Sequence, residues 1–268
     1  MLLEALPMND AQTIKEPGFE PHDLVWTPEK IARFFDYASQ HTAEAHSFSF
    51  QVGDALVRLA RNHHALEAPA LDYGAGVGYL VERLVQAGIR CSGCDFSRAS
   101  VESVKKRMTG NPLFGDCYLM ERLPSRLPDA SFGTVFLVEV LEHLLPEWRT
   151  GTLREIGRVL NPGGHAIVTV PHAEPLDLAK VMCADCGAVF HRVQHVAAFD
   201  ETTLAATMAE HGFSTVLCQP MNLGALTDAE VRQNRRLQTR IRRGLTRLKL
   251  LAPHPTSTPH LVYIGRKN

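Results

Sequence analysis

The 268-residue sequence predicts an α/β fold: a doubly wound, mainly parallel seven-stranded sheet with an antiparallel edge strand, an N-terminal helical lid and inserted segments. Three observations predict it. From residue 68 onward, short apolar runs alternate with helix-period stretches, the pattern of right-handed crossovers over a sheet covered on both faces. A glycine loop joins the first of these strands to its helix. At 45% apolar residues, the chain can bury one large core, which excludes a disordered protein.

Taken in order, residues 1–24 show little periodicity and read as a loose lead-in. Thr27 can cap a helix that Pro28 starts, with Ile31, Phe34 and Phe35 on one face. A second helix over 48–65 carries Val52, Ala55, Leu56 and Leu59 on a stripe. Strands follow at 68–73, 90–95, 113–117, 132–138 and 164–170, with helices at 79–87, 98–108 and 148–160 between them. Residues 172–196 break the rhythm, and a helix at 200–211 and a strand at 213–219 resume it. After a long connection, a strand at 261–266 can pair antiparallel at the sheet edge. The domain reading is therefore a lid region (1–66), a core (67–221) with an insertion (172–198), and a basic segment with the final strand (222–268).

No run approaches the roughly 20 apolar residues of a membrane span, and the first residues lack the basic and apolar regions of an export signal. Six cysteines are too few for a disulfide framework, so a reduced cytoplasm is the expected compartment. Lys and Arg number 28 against 29 Asp and Glu, yet 231–251 holds eight basic residues and no acid. The remainder is left with 20 basic against 29 acidic residues.

Asp72-x-Gly74-x-Gly76-x-Gly78 lies between strand and helix, where glycines let the backbone approach a ligand and the helix start offers free N–H groups. Asp95 ends the next strand, where an acid can take both hydroxyls of a ribose. Tyr79 follows Gly78, so the dinucleotide spacing G-x-G-x-x-G fails. Asp72 also points away from a pyrophosphate and toward a ligand with a cationic amino acid tail.

On these residues the sequence resembles the class I S-adenosylmethionine-dependent methyltransferases, specifically the small-molecule branch that includes the ubiquinone-type enzymes. The resemblance covers about 68–218 and extends to Asp95-Phe96-Ser97, Gly115-Asp116, the Glu139–Leu144 segment and Val159-Leu160-Asn161-Pro162-Gly163-Gly164. It implies a Rossmann-like fold with S-adenosylmethionine as cofactor. Asp72 would orient the methionine end, and Tyr73, Gly74, Ala75, Gly76 and Gly78 would form the loop beside it. Asp95 would hold the ribose, Phe96 would pack on the adenine, and Asp116 would accept from the adenine amino group with Cys117 alongside. Glu139 would complete the cofactor site. Gly133 departs from the family, whose members carry Asp there, but lies at the strand end away from the ligand.

Methyl transfer to a hydroxyl needs in-line alignment and a proton acceptor. His172, after the strand at 164–170, is the preferred base and His143 the second. His143 has a competing reading as a buried histidine that fixes its loop. The Glu139-x-x-Glu142-His143 spacing also resembles the metal segment of small-RNA 2′-O-methyltransferases, with His195 as a downstream histidine, although relatives without metal share it. Separately, Cys183-x-x-Cys186 with His191 and His195 has the donor types and spacing of a structural zinc site. The competing reading has both histidines lining the cleft and both thiols simply buried. Cys91 and Cys94, three apart in a strand, point to opposite faces and read as core, as does Cys218.

The insertion and the N-terminal helices, with Trp26, Phe34, Phe35 and Tyr37, are expected to form the acceptor pocket. On 231–251, Leu237, Ile241, Leu245 and Leu248 make an apolar helical face among arginines. A solvated docked helix, contact with an anionic acceptor at a membrane periphery, and nucleic acid compete there. The lack of interleaved aromatics counts against the last.

The expected activity is methyl transfer from S-adenosylmethionine to oxygen, with nitrogen or carbon open, on a small molecule or a glycan-type acceptor. The rivals are a metal-assisted RNA 2′-O-methyltransferase and a non-catalytic zinc-bearing interaction protein with a vestigial nucleoside pocket.

Overall fold

The computed structural model describes residues 20–41, 47–224 and 259–268, so the basic segment 231–251 lies outside the described residues. Its elements run β1 (His22–Asp23), α1 (Pro28–His41), α2 (Phe48–Asn62), β2 (Ala70–Tyr73), α3 (Tyr79–Gln86), β3 (Cys91–Asp95) and α4 (Arg98–Met108). There follow β4 (Phe114–Leu119), β5 (Phe132–Val138), α5 (Pro146–Val159), β6 (Leu160–Pro171), β7 (Lys180–Met182) and β8 (Ala188–His191). The chain closes with α6 (Glu201–Glu210), β9 (Phe213–Met221) and β10 (His260–Lys267).

Seven strands form one sheet in the order β4-β3-β2-β5-β6-β10-β9. β2 through β6 pair in parallel, and β10 runs antiparallel to both β6 and β9 at that end of the sheet. Strands β2, β3 and β5 are buried along their whole length, as a sheet covered on both faces requires. One face packs Leu56, Leu80 and Val104, and the other packs Leu153, Ile156 and Leu204. Cys91 joins the first cluster and Cys94 the second, so the two thiols point to opposite faces of β3.

Helix α2 differs in role from the lid to which its sequence position assigns it. Its stripe of Val52, Ala55, Leu56 and Leu59 is buried in the core beside α3. β6 also begins earlier than the turn residues suggest. Leu160 already pairs with Phe132, and Asn161-Pro162-Gly163 is taken up as an irregularity before His165 pairs with Thr134. Gly163, at φ +76°, makes that step.

Gly133 has a steric reason. A Cβ there would stand 2.6 Å from Glu67 Cβ and 2.9 Å from Glu67 O. Restoring the family's residue with Gly133→Asp should therefore destabilise the fold by about 1–3 kcal/mol, the usual cost of overpacking. A lowered urea midpoint with unchanged slope checks this. An unchanged midpoint would show that the Glu67 backbone yields freely.

A small second sheet, β1-β8-β7, builds the irregular segment. β7 and β8 form a hairpin whose turn is Cys183–Gly187, closed by Gly187 N donating to Cys183 O and Cys183 N to Ala188 O. β1, from the N-terminal side, pairs in parallel with β8. Trp26 packs edge-on against both Phe34 of α1 and Phe190 of β8, tying the lid helix to this hairpin.

Candidate active site

Above the carboxyl ends of β2, β3 and β5 lies a cavity of about 780 Å³. The glycine loop forms one wall. Gly74, Gly76 and Gly78 all have positive φ, which this turn demands and other residues resist. A Cβ on Gly74 would stand 2.5 Å from Val140, whereas at Gly76 it would meet nothing within 4 Å. The loop is therefore packed from below at Gly74 and has open space at Gly76, which lines the cavity.

Asp95 sets the loop. Its two carboxylate oxygens accept from Gly76 N at 2.9 Å and Ser97 N at 2.8 Å, leaving further lone pairs for a ligand. Burial pushes its pKa up to about 6 against the lowering effect of these bonds. Asp72 lies beneath the loop, 2% exposed, and its Oδ2 has no hydrogen-bond partner. Burial, and then the charge of Asp95, raise it to about 7. Two buried acids with an orphaned oxygen suit a ligand that carries ammonium and sulfonium charge and two ribose hydroxyls. The residues present thus fit S-adenosylmethionine. Asp72 and Asp95 are the groups that would hold it, and the methyl group it supplies is the chemistry it would bring.

Tyr73, Phe96 and Glu139 line the same cavity, while Ala75 is buried behind it. Asp116 and Cys117 do not line it. Asp116 is half-exposed on β4 and paired with Lys105 at 3.0 Å, and Cys117 is buried in the core. The chain instead lines this part of the wall with Met120–Leu123, whose Met120 N donates to Asp95 O. The error is one of register: β4 continues to Leu119, so its end lies beyond the expected acid.

α1 covers the cavity with Ile31, Ala32 and Phe35. Phe35 stands edge-on to Phe96 and to His143, and Asp36 accepts a hydrogen bond from Ser97 Oγ at 2.6 Å. Tyr37, expected at the pocket, is 67% exposed and stacks on His41 instead.

The two expected bases part company. His172 lies outside the cavity lining, its Nε2 2.9 Å from Glu201 Oε2 on α6. His143 lines the cavity, but burial and the adjacent His195 push its pKa down to about 3, which makes it a poor proton acceptor. Glu139 is the residue whose base-like character the sequence did not reveal. It has φ +52°, accepts from Thr169 Oγ1 at 2.8 Å and places Oε2 3.5 Å from His260 Nε2. Burial, helped by Glu174, raises it to about 8.

The expected zinc set does not assemble. His191 and His195 gather with Glu174, and His195 also with Glu142 and His143. Among the described residues no such cluster includes a cysteine. The hairpin explains the separation: Cys183 and Cys186 occupy its turn, whereas β8 carries the chain away to His191.

The doubly wound sheet with its glycine loop and antiparallel edge strand has the Rossmann-like fold of the class I S-adenosylmethionine-dependent methyltransferases. Sequence comparison points the same way: residues 71–168, just over a third of the chain, match the family model described as "Methyltransferase domain". The ubiquinone biosynthesis O-methyltransferase of Nitrosococcus oceani is 26% identical over 153 residues, covering 55% of this chain and 64% of that protein. A probable S-adenosylmethionine-dependent methyltransferase of Mycolicibacterium smegmatis is 32% identical over 111 residues, 41% of this chain and 40% of the relative. The matches thus span less than two thirds of either relative. Among solved structures, the 1,6-didemethyltoxoflavin-N1-methyltransferase of Burkholderia thailandensis, bound to 1,6-didemethyltoxoflavin and S-adenosylhomocysteine, superposes with a TM-score of 0.60. It shares 17% identity, with 93% of this chain and 95% of that one covered, a likeness of fold. No helix among the described residues is long and apolar enough to cross a membrane.

Proposed function

We propose that the protein transfers a methyl group from S-adenosylmethionine to an oxygen of a small, partly apolar acceptor held beneath α1. The observation that carries this reading is the continuity of one cavity from Asp95 and the glycine loop to the wall of Phe35, Leu144, Leu145 and Trp148. Such a wall favours a compact acceptor with an apolar body over a nucleic acid strand, whose phosphates need cations. In-line displacement asks the protein to align acceptor, methyl and sulfur and to exclude water, and the apolar side chains of α1 over the cavity support that reading. Glu139 then takes the proton released by a hydroxyl acceptor.

Calorimetry with S-adenosylhomocysteine tests the first half. A single saturable site per chain is expected, and no heat would leave the non-catalytic alternative standing. Radiolabelled methyl transfer over a panel of hydroxylated, amine and glycan acceptors tests the second half. Incorporation confined to amines would overturn the oxygen assignment.

A further inference from the structure

We propose that Cys183 and Cys186 form a thiol–disulfide exchange site at the tip of the β7–β8 hairpin, with Cys183 as the attacking sulfur, Cys186 as the resolving sulfur and small-molecule disulfides as the co-reactant. Neither thiol lines the cavity, and the site does not depend on the proposed methyl transfer.

The six cysteines are all free thiols, and their surroundings divide them. Cys91, Cys94 and Cys117 are buried, and burial raises the first two well above the ordinary thiol value and the third to about 12. Cys218 is part-buried, directs its thiol to Glu201 O at 3.5 Å and is raised by burial as well. The thiolate is the reactive form, so all of these are poor nucleophiles near neutral pH. Cys186 is exposed and Cys183 partly so.

The hairpin turn brings these two together. Gly187 N donates to Cys183 O at 2.9 Å, a closure over one turn in which residues three apart are neighbours. Gly187, at φ +76°, returns the chain into β8, where Cys183 N donates to Ala188 O at 2.9 Å. His22 N of β1 donates to Gly187 O at 3.0 Å, so a second strand also holds the turn. The Cys-x-x-Cys segment is thereby pinned at both ends by backbone bonds.

Within the turn the two sulfurs differ. The peptide N–H groups of Cys186 and Asp185 direct hydrogen bonds at Cys183 Sγ, and the Cys186 thiol adds another, which together hold Cys183 below the ordinary thiol value. The titratable groups on the turn and the adjoining strands are Asp185, Lys180 on β7, and His22 and Asp23 on β1. Asp185 opposes the lowering but is the weakest of these influences, and Lys180 is engaged by Asp177 at 2.9 Å and Asp23 at 3.8 Å. Cys183 is therefore the better nucleophile, with a second thiol beside it. An accessible thiolate next to a resolving cysteine is the arrangement that disulfide exchange requires.

In the first step Cys183, its proton lost to solvent, attacks one sulfur of a disulfide RS–SR. That S–S bond breaks, and RS⁻ leaves and takes up a proton. Cys186 then loses its proton to solvent, attacks Cys183 Sγ of the mixed disulfide and expels the second RS⁻, which is protonated in turn. The protein is oxidised by two electrons and gains the Cys183–Cys186 bond, and RS–SR is reduced to two RSH.

The test takes the full chain, reduced and freed of reductant, through glutathione buffers of increasing oxidised fraction, with acid quenching, alkylation and mass mapping. Wild type is expected to lose two hydrogens per chain, mapped to one Cys183–Cys186 bond, while the other thiols are recovered alkylated after unfolding. Cys186→Ser should instead stop with one glutathione held on Cys183, and Cys183→Ser should exchange at least about 10-fold more slowly. With limiting iodoacetamide, Cys183 should be labelled at least about 10-fold faster than Cys218. Circular dichroism of both variants separates slow exchange from misfolding. Accumulation of the mixed disulfide on wild type without the internal bond, equal exchange rates in the two variants, or thiols that react only after a chelator has removed a bound metal would each overturn the assignment. A normal S-adenosylhomocysteine affinity beside any of these results would leave the proposed function untouched.

Discussion

Replacing Glu139 by glutamine is expected to lower kcat for methyl transfer by about 100- to 10,000-fold, the range general-base removal covers, with S-adenosylhomocysteine affinity within a few-fold of wild type. The reason is elimination by place and by basicity. His172 is committed to Glu201 away from the cavity, and His143 is held far below neutrality. Glu139 lines the cavity and is raised to about 8 by burial. Its ionised form is the active one, so kcat should climb as pH rises through its folded pKa and level off above. The sulfonium charge lowers that inflection below 8 in the loaded enzyme. Glu139→Gln should abolish the inflection. An unchanged kcat would mean that the acceptor needs no base, as an amine with a free lone pair would not.

The parts of the site legible in the sequence are those made within one short stretch. The strand-loop-helix around Asp72–Gly78 and the strand end at Asp95 each lie inside a few residues, and the structure brings both to the same cavity edge. Asp116 failed because a strand's end in a weakly apolar run such as Phe114–Leu119 is set by pairing with β3, which local composition does not encode. The Cys/His segment failed for a related reason. Cys-x-x-Cys-Gly specifies a tight turn, and a hairpin uses the same turn as a metal knuckle. Histidines four apart suggested one helical face, but β8 ends at His191 and Gln194, at φ +65°, reverses the chain. His195 thereby meets His143, a residue 52 positions earlier and joined to it only through the tertiary fold. The covering role of Phe35 was legible as an apolar stripe, while the outward direction of Tyr37 depended on how α1 docks through Asp36 and Ser97.

Cofactor binding should show the largest thermodynamic effects, at Asp95 and Asp72. Asp95→Ala would remove the carboxylate proposed to accept from the ribose hydroxyls, and it strands the N–H groups of Gly76 and Ser97. Hydrogen bonds to a charged group contribute about 1.5–3 kcal/mol each, so S-adenosylhomocysteine should bind at least about 100-fold more weakly. Asp72→Asn should cost less in affinity but change its pH dependence. Both acids have folded pKa values raised above 3.8, to about 7 and about 6. In the ligand-free fold their stabilising contribution is complete below pH 3.8 and is lost as pH rises through those values. A cationic ligand selects the ionised forms, so its affinity moves the other way. Calorimetry with S-adenosylmethionine, whose sulfonium carries that charge, between pH 5 and 8 should find affinity rising about tenfold per pH unit below 7, more steeply below 6, and flat above. In Asp72→Asn the dependence near pH 7 should vanish and the step near 6 remain. A wild-type affinity that is flat across this range would mean that neither acid exchanges its proton for the ligand's charge, and would remove the electrostatic basis for the cofactor assignment.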